Sequence, residues 1–259
     1  MKKFISLVIV LSVISTGFYA CKDDDDETAP TSGPVTIELT NIAGNKNVDT
    51  TAATVYTNDF GETFTVTRLK YYISNVRLTK GGVVKYTMPE SYFLVDESKP
   101  ASTVLTIPEV PVGSYDGVYF DLGVDSLHNV SGAQSGALTP SDMFWSWSTG
   151  YIFFKLEGYS PYAPSVPGGP DSSVIYHIAG FKEPYNALRP IEINFNGASL
   201  VVDGSREAEI HVFANILKVF NGAHQIKIAD HSNIMTVGNV SKEVADNYAG
   251  MFTFDHLHN

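Results

Sequence analysis

Apolar and polar residues alternate along most of this chain in short runs, with few stretches recurring every three or four positions. In Lys70-Tyr71-Tyr72-Ile73-Ser74-Asn75-Val76-Arg77-Leu78 the period of two puts Tyr72, Ser74, Val76 and Leu78 on one face and Tyr71, Ile73, Asn75 and Arg77 on the other. Similar runs rich in Tyr, Phe, Val, Ile and Thr, cut by Gly, Pro, Asn and Asp, predict strands over 35–42, 64–79, 83–86, 92–96, 102–107, 117–124, 147–157, 174–181, 189–195 and 207–213. Gly81-Gly82 is a hairpin signal between two of them. The fold class is therefore mostly β: an antiparallel β-sandwich or barrel-like domain with one or two short helices near the C-terminus. The helical candidates are 213–220, ended by Asn221-Gly222, and 241–251, with Ser241 as N-cap. Two long connections, 126–142 and the Pro/Gly-rich 160–173, flank the strand that follows Met143-Phe144-Trp145-Ser146-Trp147. Trp145 and Trp147 are the only tryptophans, and on an extended segment they share a face.

The N-terminus breaks this pattern. Lys2 and Lys3 precede an apolar run that ends at Ala20, which reads as a signal peptide over residues 1–20. Cys21, the only cysteine, follows at once and has no internal disulfide partner. Gly17-Phe18-Tyr19-Ala20-Cys21 is a loose lipobox, so Cys21 is expected to carry a lipid anchor in the membrane. Residues 21–34, with Asp23 to Glu27 and then a Pro/Ser/Thr stretch, form an acidic tether that buries no apolar area. Residues 35–259 are then one β domain. The expected location is the outer membrane, on its periplasmic or cell-surface side. Loss of Lys2 and Lys3 takes the net charge from −11 to about −13. Nucleic acid is excluded as a partner, because it demands clustered Lys and Arg.

The chain contains no Gly-x-Ser-x-Gly elbow, no His-Glu-x-x-His and no phosphate-cradling glycine loop, and its one cysteine belongs to the anchor. Asp121 and Asp125 are paired carboxylates, but their spacing suits a strand running into a turn. No turnover is expected. Histidines are the remaining chemical resource. His177 and His211 lie within apolar strands, where a buried imidazole must be hydrogen-bonded or metal-bound, and His256 and His258 form an i, i+2 pair at the chain end. Imidazoles suit copper and zinc, and Met143 and Met251 offer soft sulfur nearby in sequence.

Four blocks resemble the MbnP-like copper-binding proteins: residues 70–78, Phe120-Asp121-Leu122-Gly123-Val124, residues 143–158 with the Met-x-Trp-x-Trp-x-x-Gly-Tyr pattern, and Tyr176-His177-Ile178-Ala179-Gly180. The resemblance implies a secreted β protein that binds one copper ion as Cu(I). It implies a partner, a di-haem enzyme of the cytochrome c peroxidase class, that oxidises a tryptophan to kynurenine, whose aniline nitrogen joins histidines at the metal. Carried onto this chain, the oxidised residue is Trp145 or Trp147, His177 is the best-matched histidine, and His211, His256 and His258 are further candidate ligands. The chain lacks the disulfide cysteines of some relatives and has no Trp-x-His beside the motif. The alternative from the residues alone is a surface β-sandwich that binds glycans or another envelope protein through a platform of Trp145, Trp147 and Tyr151.

Overall fold

The computed structural model describes residues 30–130, 134–146, 149–165 and 172–259. Its organiser is the strand Thr63–Lys80, 18 residues long, whose alternating aromatic and β-branched residues suit a pleated, two-sided surface. One half of this strand pairs with Gly150–Tyr159 and Tyr92–Asp96, the other with Gly117–Leu122 and Val83–Thr87. Ser173–Ala179 and Arg189–Asn194 extend the two halves into a curled ten-stranded sheet, a half-barrel. A second, five-stranded sheet is built on Ser32–Ala43, flanked by Val104–Pro111 and Ala208–Asn215, with the C-terminal strand Phe252–His258 at its edge.

The core lies between the sheets. Val35, Ile37 and Leu39, with Ile210 and Val212, face Tyr71, Phe120 and Phe154, and all are buried. Phe252 joins the layers edge-on, with ring centroids 5.9 Å from Tyr71 and 5.1 Å from Phe120. The Tyr71 hydroxyl donates to Asn41 Oδ1 at 2.8 Å across the same space.

The predicted β class is what the structure has, with three corrections of detail. Ser32–Ala43 and Ala208–Asn215 run parallel, as do Ser173–Ala179 and Asn233–Ile234. Alternation reports which residues share a face and is silent on the direction of the neighbouring strand. Second, among the described residues the α-helix near the C-terminus is Asn239–Tyr248, within the one or two expected, but the candidate over 213–220 is not an α-helix, and a further short α-helix is Ser126–Val130. The expected N-cap Ser241 sits inside the later helix, buried, with its hydroxyl given to the Ala179 carbonyl, while Gly238 precedes the helix. Over 213–220 the strand continues to Asn215, whose side chain accepts from the Leu217 N–H and caps a 3-10 turn, Ile216–Val219. Third, the strand Phe252–His258 lies beyond the expected helix, where only an i, i+2 pair of histidines at the chain end was read and no strand was predicted. The first strand also begins at Ser32, inside the expected tether. Residues 1–20 and Cys21 lie outside the described residues.

The connection 126–142 has a defined role. Its described residues 134–142 fold back over the outer face of the large sheet, where Tyr72 and Tyr151 meet edge-on at 5.6 Å. The Tyr72 hydroxyl donates to the Ala137 carbonyl at 3.2 Å, and that of Tyr151 to the Leu138 carbonyl. Leu138 and Met143 are buried beneath it. The strand Gly150–Tyr159 is thus covered on both faces, which explains its nearly unbroken apolar run.

Candidate metal centre

Trp145 stands on the three-residue strand Phe144–Ser146, paired with the start of Gly150–Tyr159. What holds this segment down is Asp142. The Lys155 ammonium donates to the Asp142 carbonyl and reaches its carboxylate at 3.2 Å, and Lys70 reaches that carboxylate at 3.2 Å from the next strand. Burial pushes the Asp142 carboxyl upward, but the hydrogen bonds from Lys70 and Lys155 outweigh it and hold the group below the ordinary carboxylate range. A carboxyl lowered in the fold stabilises above its unfolded value, near 3.8, and loses that contribution as pH falls through the folded value. Asp142→Asn is therefore expected to flatten the decline in unfolding free energy between about pH 5 and pH 2. It is also expected to cost about 1–3 kcal/mol at neutral pH, because Lys155 is left buried without its anion. Urea titrations across that range check both; a variant as steep as the parent rules out the clamp.

Lys155 and His177 are cross-strand neighbours on the outer face of the large sheet. His177 is buried, with Nε2 2.7 Å from Glu157 Oε1. The carboxylate accepts, so Nε2 carries the proton and Nδ1 holds a free lone pair. Among the described residues Nδ1 has no hydrogen-bond partner. Burial pushes the imidazole pKa down, and the Glu157 hydrogen bond opposes this less strongly, so the neutral ring is favoured. The Trp145 ring lies beside it, centroids 6.5 Å apart and planes tilted by 47°. A carboxylate that fixes one nitrogen and leaves the other bare is the arrangement metal-binding histidines use.

Trp145 is half-buried and borders an open hollow of about 490 Å³ shared with Thr149, Met235, Thr236 and Val237. Met235 is exposed there, whereas Met143 and Met251, the expected sulfur donors, are fully buried elsewhere in the packing. Tyr151 is also fully buried, so it adds nothing to an exposed aromatic platform of the kind a glycan stacks on. Trp147 lies outside the described residues. Asp121 and Asp125 go to separate partners: Asp121 accepts from Asn75 at 2.9 Å, while Asp125 caps the helix at His128 and accepts from Tyr92.

The other three candidate histidines form a separate group on the outer face of the small sheet. Ala208–Asn215 buries Ile210 and Val212 and turns His211 outward beside Glu38 of the neighbouring strand. In the C-terminal strand the pairing slips: Phe254 faces Val212, but Leu257 faces Ile210. One extra residue is inserted opposite His211, and this bulge sends both His256 and His258 to His211's side. Without it, His256 would follow Phe252 and Phe254 toward the core. The His211 and His256 rings stack at 4.2 Å, and His258 is 5.0 Å from His211. The core therefore separates these three from His177 and Trp145, and the five described candidate ligands do not converge on one ion.

Sequence reading missed Glu157 and Met235. Glu157 sits two residues from Lys155 on the same face, but only the register against Ser173–Ala179 reveals that it reaches His177. Met235 carries no signal of its own in the chain.

A family model described as MbnP matches residues 32–236. Among solved structures, MbnP from Methylosinus trichosporium is similar to this chain, with 15% identity and a TM-score of 0.49, covering 82% of this chain and 84% of that one. No curated protein matches.

Proposed function

This chain belongs to the MbnP family, and from that membership we propose that it is a copper-binding protein of the cell envelope that stores or relays one Cu(I) ion and performs no turnover itself. The observation that carries this reading is the bare Nδ1 of buried His177, oriented by Glu157 and set beside Trp145. An unsatisfied buried nitrogen is costly, and an ion bound there offsets the cost.

An unmodified indole has only an N–H to offer and is no metal ligand. Oxidative cleavage of its five-membered ring adds two oxygen atoms, and hydrolysis then releases the formyl carbon as formate. The product, kynurenine, carries an aniline amine that can donate to copper. The proposed partner, a di-haem enzyme of the cytochrome c peroxidase class, would spend two molecules of hydrogen peroxide on the step, which supply the two oxygen atoms and leave as two waters. We assign the conversion to Trp145, because it neighbours His177 and its hollow opens to an approaching partner. Lipidation at Cys21 and a place on the outer membrane, on its periplasmic or cell-surface side, belong to the same reading, since copper is captured in the envelope.

The full chain, treated or untreated with the partner, is to be titrated anaerobically with Cu(I). Treated protein is expected to bind about one ion with sub-micromolar Kd, and intact mass is expected to register a net gain of one oxygen and loss of one carbon. Absence of Cu(I) binding in both states removes the copper reading.

A further inference from the structure

We infer that His211, His256 and His258 form a second metal site, independent of the first, that takes a divalent transition ion such as Zn2+ or Cu2+. One ligand nitrogen from each ring lies within 4.8 Å of the others. His256 Nε2 and His258 Nε2 face each other at 3.0 Å. Two nitrogens on a tetrahedral zinc ion stand about 3.3 Å apart, so an ion enters this pair with a shift of a few tenths of an ångström.

The surroundings suit a divalent ion. Asp255 Oδ2 holds His256 Nδ1 at 2.9 Å, which aims Nε2 at the centre of the cluster. His211 has Glu38 3.5 Å from Nδ1 and Glu209 3.3 Å from Nε2, so whichever nitrogen turns to the metal, the other meets a carboxylate. Three imidazoles flanked by carboxylates, with no sulfur, favour Zn2+ or Cu2+ over Cu(I). Three protein ligands leave a fourth position for water or for Glu209. The bulge at Asp255 and His256 is the device that builds the site, by turning two residues of one edge strand toward the same partner. His256 and His258 also lie beyond residues 32–236, so the family match neither includes nor requires them.

The test uses the full chain with Zn2+ alone and Co2+ alone as probes. The parent is expected to bind one Zn2+ with a Kd at or below about 1 µM, and Co2+ to develop the intense visible bands of a tetrahedral site. His256→Ala or His258→Ala is expected to weaken Zn2+ at least tenfold and the double variant at least a hundredfold, while His177→Ala leaves Zn2+ binding unchanged. Both residues are exposed, so the variants should stay folded; if the double variant does not, His258→Gln reads the same loss alone. No Zn2+ binding by the parent at 100-fold excess over that Kd, or double-variant affinity equal to the parent's, overturns the proposal. Cu(I) binding that survives the double variant, or fails in the parent, bears on the Trp145–His177 reading and leaves this one intact.

Discussion

Alanine at His177 is expected to lower Cu(I) affinity by at least about a hundredfold in partner-treated protein, because it removes the nitrogen donor that the fold has desolvated and left bare. Glu157→Gln tests the same geometry one step out. An amide still fills the space 2.7 Å from Nε2, but it accepts more weakly than a carboxylate and can turn its NH2 toward the ring. The orienting carboxylates of metal-bound histidines are typically worth about 10–100-fold in affinity, and that is the loss expected here. Competition against a chromogenic Cu(I) chelator gives both numbers. Equal affinity for parent and His177→Ala would rule out His177 as a ligand. Trp145→Phe is expected to abolish both the mass change and tight binding. If Trp147→Phe does so instead, the assignment moves to the second indole.

The second large effect concerns the C-terminal strand. Phe252→Ala is expected to destabilise the domain by about 3–5 kcal/mol, the usual range for emptying a buried aromatic site. Phe252 is only 8% exposed and its ring meets Tyr71 and Phe120 from the opposite sheet, so its loss leaves a hole where the layers join. For a domain of this size each kcal/mol moves the melting temperature by roughly 2–4 °C, so a fall of roughly 10 °C is expected. The damage should also be local. Among the described residues the strand lies at a sheet edge and pairs on one side only, with Ala208–Asn215. Its amides should exchange first, and Zn2+ binding at His256 and His258 should weaken while His177 still binds Cu(I). Calorimetry and amide exchange decide this. A change in melting temperature under about 2 °C would mean that Phe252 does not tie the layers together.

The two effects mark how far the sequence could be read. The strand Tyr92–Asp96 is predicted to the residue, and Thr63–Lys80 nearly so, because each is a run rich in aromatic and β-branched residues between clear turn signals. Phe252–His258 escapes that reading for a physical reason. Its inward positions are Phe252, Phe254 and Leu257, and the bulge breaks the period of two where the pattern would have been recognised. The site divides in the same way. Trp145 and His177 are visible in the chain as residue types in a specific block. Glu157 and Asp142 act through pairing and coverage, which join residues 20 and 13 positions apart in sequence.

By itself the sequence determined the β class, the position of most strands, and which residue types carry metal-binding chemistry, since these follow from local periodicity and side-chain chemistry. Tertiary structure alone decided which of those residues meet. It set His177 under Trp145 on one outer face and gathered His211, His256 and His258 on the other, with the core between them. The reason is geometric. Alternation assigns a side chain to a face of its strand, but register, direction and a single inserted residue decide what lies across from it, and none of these has a local signature.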